Sequence, residues 1–329
     1  MTPALGAFVA QVGINAQDQI TFKGQPVQRA SQSGAPFELQ LTEFAYKYFY
    51  THPSGQIGDA FGSGTPSAAL IADISAANTT VPKVEDGWVV RSVLAEGSVM
   101  AERFGTVRKF IAGQFLAAPD AAPVRSGSEI TVTHLAGSKT VQPGFFHIFG
   151  QEHLDAAEEV KNIRLYFNLT GPGAAAPVAG LISQVLNDYL VPFRFKTATR
   201  ICDFSRVDTA VLYLPQRVFT VAAMALATQL ARLEHFLDDA VPPFTKPMGR
   251  GIGLAEDTPD AGSFGAARCK LVAQAIMQAR ADGEIDPNLF ETVFKTLCAA
   301  QNLDVGRLYL NPGSDTDYCL NAPSATIAA

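Results

Sequence analysis

The sequence predicts an α+β protein: a C-terminal mixed sheet covered by amphipathic helices, preceded by a helical segment and a small antiparallel β module. Three observations carry this. Apolar residues up to about position 78 recur at helical spacing, the following stretch is cut into short strand-like runs, and beyond position 156 alternating strands interleave with long apolar-striped helices. The expected division is therefore 1–78, 79–155 and 156–329.

In the first part, Leu41, Phe44, Ala45 and Tyr48 mark one helix, which Pro53-Ser54-Gly55 stops. Ser67 to Ala77 forms another, with Leu70, Ile71 and Ile74 on one side. Strand-like runs follow at Trp88–Leu94, Ser98–Phe104 and Glu129–Thr133, broken by Gly, Pro, Asp and Ser; residues 117–128, rich in Ala, Pro and Gly, read as a loop. A boundary falls near His153 to Val160. From Asn162 to Leu169 the chain alternates, with Ile163, Leu165, Phe167 and Leu169 facing one way and Arg164, Tyr166 and Asn168 the other. Gly171-Pro172-Gly173 breaks the strand. Val178, Leu181, Ile182, Val185, Leu186 and Leu190 then make one helical stripe, and Phe193 to Lys196 opens a second strand. This order predicts a crossover unit with neighbouring strands. Thr209–Leu214 is more uniformly apolar, as a central strand is. A long helix from Gln216 to Leu237, the Lys246 segment, and helices over 264–280 and 287–300 complete the chain.

Composition bounds the function. The 329 residues carry a formal net charge of −6, with 47% hydrophobic and 17% charged residues, a globular balance whose acidity disfavours nucleic acid as partner. No apolar window is long enough for a spanning helix, and the N-terminus lacks the pattern of a secretory signal, so a cytoplasmic protein without membrane contact is expected. Cys202, Cys269, Cys298 and Cys319 are too scattered for a disulfide framework or a zinc site, and no metal or cofactor motif occurs.

Against this acidic background, cations gather. Strand parity sets Arg164, Arg194 and Lys196 opposite their apolar neighbours, so one sheet face carries Arg164, Tyr166, Asn168, Arg194 and Lys196 together. Such a face is either solvated or a polar floor for an anion. Arg268 is in helical register with Leu271, Val272, Ala275 and Ile276, so it points inward from the start of a helix. It either holds an anion with the helix N-terminus or pairs with Glu256 or Asp257. Lys246 precedes Gly249, Gly251 and Gly253, where the backbone can approach a ligand closely. His147, within Phe145–Phe149, reads as a hydrogen-bonded strand histidine or as a catalytic acid.

Leu165–Leu169, Val191–Lys196, Ala210–Leu214, Phe244–Pro247, Gly251–Asp257, Ser263-Phe264-Gly265 with Arg268, and Tyr309–Gly313 together resemble the HopA effector-like family. Phe44–Tyr50, Gly87-Trp88 and Pro143-Gly144-Phe145 extend the likeness more thinly. The family includes bacterial type III effectors and homologues encoded in thioamitide and class V lanthipeptide clusters. In the biosynthetic branch the resemblance implies a metal-independent, cofactor-free lyase. It would follow a separate kinase-like protein and convert phosphoserine or phosphothreonine of a ribosomally made precursor peptide into a dehydroamino acid. Such a β-elimination needs a base, a proton donor and cations for phosphate. The expected roles are Lys196 as base, Tyr166 or His147 as acid, and Arg194, Lys246, Arg268, Arg164 and Arg217 as phosphate-binding residues. The alternative is a non-enzymatic effector or peptide-binding module gripping an acidic partner.

Overall fold

The computed structural model describes residues 2–15, 17–27, 35–53, 64–117, 123–152, 154, 161–258, 262–281 and 283–320. Ser54-Gly55, part of the 117–128 loop and nearly all of the expected boundary from His153 to Val160 lie outside them. The α+β class holds. The N-terminal part comprises α1 (Pro3–Val9), a small sheet of β1 (Val12–Ile14), β2 (Ile20–Phe22) and β3 (Gln25–Pro26), α2 (Phe37–Ala45), a π-helical turn (Tyr46–Tyr50) and α3 (Ala68–Ala77). Ser67 caps α3, accepting from Leu70 N at 3.2 Å.

The β module contains β4 (Lys83–Val93), β5 (Val99–Arg103), β6 (Thr106–Phe110), β7 (Phe115–Ala117) and β8 (Glu129–His134), in the order β6-β5-β4-β8-β7. Its own core is Trp88, Val90, Val99, Ala101, Phe110, Ile130 and Val132.

The main sheet is built from β9 (Gly137–Ser138), β10 (Phe145–Phe149), β11 (Asn162–Phe167), β12 (Arg194–Ala198), β13 (Ala210–Pro215), β14 (Lys246–Gly249) and β15 (Ile252–Glu256). Among the described residues it has the order β14-β15-β11-β13-β12-β10-β9. Three expectations change here. The β module closes at His134, because β10 pairs with β12, and β9 with β10, instead of with the module. Every strand pair is antiparallel, so the sheet is not mixed. The expected crossover neighbours β11 and β12 are separated by β13, which hydrogen-bonds to both and is fully buried along its length, as the most apolar strand should be.

The helices lie on both faces. α4 (Ala175–Asp188) and α5 (Phe219–Ala227) share a core with Ile148, Leu165, Phe195, Leu212 and Leu254 on one face. On the other, α2, the π turn, α7 (Phe264–Ala279) and α8 (Pro287–Ala300) pack with Tyr166, Val211, Tyr213 and Ala255. A two-residue pair, β16 (Arg280–Ala281) and β17 (Glu284–Ile285), links α7 to α8. The long helix expected from Gln216 to Leu237 is broken into a 3-10 turn (Gln216–Val218), α5, α6 (Leu230–Leu233) and a last 3-10 turn (Glu234–Phe236). At the break, Thr228 Oγ1 donates to Ala225 O at 2.7 Å, a local bond that competes with the helix ladder. Among the described residues no helix is long and apolar enough to cross a membrane.

Residues 303–320 form neither helix nor strand yet bury Leu303, Leu308, Leu310, Tyr318 and Leu320. This strap is held by side chains from three separate elements. Glu256 Oε1 accepts from Ser314 Oγ at 2.5 Å and Tyr318 Oη at 2.8 Å, while its Oε2 accepts from Asn311 N at 2.6 Å. Arg268 donates to Leu308 O at 2.9 Å and Leu310 O at 3.0 Å, and Lys246 Nζ donates to Tyr318 O at 2.7 Å.

Candidate functional site

The register of the main sheet fixes which side chains share a face, because directly opposed residues point the same way. One row runs Ala255, Arg164, Tyr213, Arg194, Phe149, and the next runs Gly253, Tyr166, Val211, Lys196, His147, Ser138. The polar floor therefore exists, with Arg164, Arg194 and Lys196 on it. Their cationic groups surround one ring: relative to the Tyr213 centroid, the Arg194 guanidinium lies at 4.4 Å, that of Arg164 at 5.2 Å and Lys196 Nζ at 5.7 Å. The π face offsets part of the repulsion between like charges.

Lys196 is the best-defined member. Its Nζ donates to Gln142 Oε1 at 2.9 Å and lies 4.4 Å from the Phe145 ring centroid. The Arg206 guanidinium lies 5.9 Å from the same ring. Arg206 makes a two-pronged contact with Asp208, Nε to Oδ1 and Nη2 to Oδ2, each at 2.7 Å, and Nη2 donates to Tyr46 Oη at 3.3 Å. Burial alone would raise the Asp208 carboxyl, but Arg206, with Lys196 adding to it, holds it below its ordinary range. Burial and Asp208 push the Tyr46 phenol up to about 12, so it stays protonated. The π turn carries Tyr46 to this position, an irregularity of the kind that re-aims side chains at functional sites.

His147 stands directly across from Lys196 and is 2% exposed, and neither ring nitrogen has a hydrogen-bond partner. The reading of a hydrogen-bonded strand histidine is overturned. Burial first, then Arg194 and Lys196, push its pKa down to about 3, so the imidazole is neutral. The unfolded chain takes up this proton below about 6.5, whereas the folded chain does so only near 3, so stability falls as pH falls through that window. Compared with wild type, His147→Phe should be relatively more stable at pH 5.5 than at 7.5, with a difference in slope of up to about 1.4 kcal/mol per pH unit in urea titrations. Parallel pH profiles would refute the neutral, buried imidazole.

Tyr166 shares the row but is separated from Lys196 by Val211. Its buried hydroxyl and that of Tyr50 interact with each other, and burial raises both phenols. Tyr50 packs so closely on α7 that a Cβ at Gly265 would strike its ring.

Four expected phosphate ligands are elsewhere engaged or distant. Arg164 is bound to Asp257, donating from Nε at 2.8 Å with a second contact from Nη2. Lys246 is opposite Leu254, hence on the other face and four strands from Lys196, where it ties Asp317 and Tyr318. Arg268 does point inward, but it serves the strap carbonyls instead of an anion or Glu256. Ser263 already caps α7, accepting from Ala266 N at 3.1 Å. Arg217 is exposed in the turn after β13, at the end opposite Val211, which pairs with Lys196. Two of the three glycines are packed against the protein itself: Gly251 has φ 60° and lies against Asp238 O, and a Cβ at Gly253 would sit 2.5 Å from Thr245 Oγ1. Arg194 remains on the floor with its Nε buried and without a partner.

Residues 136–310 match the HopA1 effector protein family, and this span exceeds half the chain. The protein belongs to that family. The HopA1 match begins at β9 and ends inside the strap, so it takes in the main sheet but leaves the β module outside. Two solved effector structures are similar. That from Pseudomonas syringae pv. tomato strain DC3000 is 13% identical, with 86% of this chain and 92% of that one covered and a TM-score of 0.46. That from Pseudomonas syringae pv. syringae strain 61 is 14% identical, with 83% and 95% covered and a TM-score of 0.45. No curated protein matches the chain.

Proposed function

We propose that this HopA1-family protein is a phosphoserine/phosphothreonine lyase that acts on a ribosomally made peptide after a separate kinase-like protein has phosphorylated it. The observation that carries the reading is the pairing of Lys196 with an unpartnered, neutral His147 on a cationic floor. In the reaction, Lys196 takes the α-proton on the lone pair of its unprotonated amine and becomes the ammonium. The Cα–H electron pair becomes the Cα=Cβ double bond, the Cβ–O bond breaks, and its electrons leave with the phosphate. An imidazole N–H of His147, which stands directly across from Lys196 while Val211 lies between Lys196 and Tyr166, is the candidate donor of a hydrogen bond to the departing oxygen. Arg194, whose Nε has no partner, is the cation best placed for phosphate. The chemistry uses positioned charge and proton transfer, which the side chains themselves supply.

The test is to incubate the purified protein with a phosphothreonine peptide and follow its mass and the released phosphate. Loss of phosphoric acid without gain of water supports the lyase. Retention of phosphate with tight peptide binding would favour a non-enzymatic effector that grips an acidic partner.

A further inference from the structure

Two irregular turns, distant in sequence, meet next to Arg206 and Asp208 and bring together a pair of residues that the elimination chemistry does not use. His52 follows the π turn, and Ser205 ends a 3-10 turn (Ile201–Ser205) between β12 and β13. Val207 N donates to Thr51 O at 3.0 Å, so the backbone itself clamps one turn against the other. Across that clamp His52 Nε2 lies 3.1 Å from Ser205 Oγ, 153 residues away. The imidazole is 1% exposed, whereas Ser205 is open to solvent.

The tautomer of His52 is fixed by its other ring nitrogen. Nδ1 lies 3.0 Å from Lys47 O, which can only accept, and 2.8 Å from Thr51 Oγ1, whose own hydrogen goes to Lys47 O at 3.1 Å. A bare Nδ1 would set its lone pair against the carbonyl, so Nδ1 carries the hydrogen and Nε2 keeps a lone pair facing the serine. Burial, ahead of every other influence, lowers the His52 pKa, so the imidazole is neutral and this lone pair stays free of a proton at neutral pH. The Ser205 hydroxyl hydrogen lies between Nε2 and Cys202 O, each 3.1 Å from Oγ. An accessible hydroxyl, a neutral base within hydrogen-bond reach and a third group that orients the base are the parts of an activated nucleophile. Here the Lys47 carbonyl stands where a carboxylate does in a Ser-His-Asp site. The turns are already tied by the Val207 bond, so joining them does not require an exposed hydroxyl on a buried imidazole.

We propose that Ser205 and His52 form a nucleophile–base dyad that accepts the acyl group of a small activated ester, a second reaction centre separate from Lys196. Ser205 Oγ bonds to the acyl carbon while its proton passes to His52 Nε2; the bond from that carbon to the leaving oxygen breaks, and the imidazolium returns the proton to the departing alkoxide. Water, deprotonated by His52, then releases the carboxylic acid and restores the serine. The dyad does not depend on the lyase reading. The test treats the full chain with a fluorescent alkyl fluorophosphonate, which forms a P–O bond to an activated serine with loss of fluoride, and maps the adduct by peptide mass spectrometry. The label should sit on Ser205, be lost in Ser205→Ala and form roughly tenfold or more slowly in His52→Gln. Wild type should also release para-nitrophenol from para-nitrophenyl butyrate roughly tenfold or more faster than Ser205→Ala. The absence of an adduct at Ser205, equal labelling of wild type and folded His52→Gln, or equal ester cleavage by wild type and Ser205→Ala would overturn the dyad. Should His52→Gln melt far below wild type, Ser205→Cys decides with His52 in place. Its thiol should react with iodoacetamide near neutral pH roughly tenfold or more faster than that of N-acetylcysteine, and an ordinary thiol rate would overturn the dyad.

Discussion

Lys196→Ala should reduce phosphate elimination by about 10²–10⁴-fold, the usual contribution of a positioned acid–base group. The companion variant decides the role. Lys196→Arg keeps a cation over Phe145 and Tyr213, but a guanidinium does not give up its proton in proteins, so it cannot serve as a base. If Lys196 removes the α-proton, both variants are inactive and the Arg variant still binds the phosphopeptide. Substantial activity in Lys196→Arg would show that the residue only grips phosphate.

The largest stability effect is expected from Arg206→Ala. Asp208 is 5% exposed and its two oxygens each face an Arg206 nitrogen, so removing the guanidinium leaves a buried carboxylate with little to offset it. Breaking such a pair from one side costs about 3–5 kcal/mol. The pH dependence should also change sign. In wild type, the depressed Asp208 pKa contributes stability above the ordinary carboxylate range, and that contribution is lost as pH falls through the folded value. In Arg206→Ala, burial favours the protonated acid, so the deficit should shrink on acidification, and Asp208→Asn in that background should recover part of it. Urea midpoints followed by far-UV circular dichroism at pH 7.5 and 5 would read this; a loss below about 1 kcal/mol would contradict the buried pair.

Strand parity alone was enough to put Arg164, Arg194 and Lys196 on one face, since alternation is local and the apolar partners of each are adjacent in the chain. Helix register likewise turned Arg268 inward. What parity cannot supply is a partner. The fates of Lys246 and Arg268 are decided by carbonyls of residues 308–318, tens of residues further on, and that of Arg164 by Asp257, 93 residues away. His147 was ambiguous because its strand pairs with β12 across an intervening helix and strand. Arg206 and Asp208 were missed because they lie in a turn where no periodicity marks them. Tyr46 and Phe145 fell within stretches already familiar by resemblance, Phe44–Tyr50 and Pro143–Phe145, the one signal that could have led to them.

The strap has a consequence for biosynthesis. Glu256 and Arg268 emerge from the ribosome well before Asn311, Ser314 and Tyr318, so for some fifty residues of translation their buried charges have none of these partners. The β module, with its own core and no strand in the main sheet, can collapse during that interval, whereas the half that holds the main sheet closes only once residues 308–318 have been made.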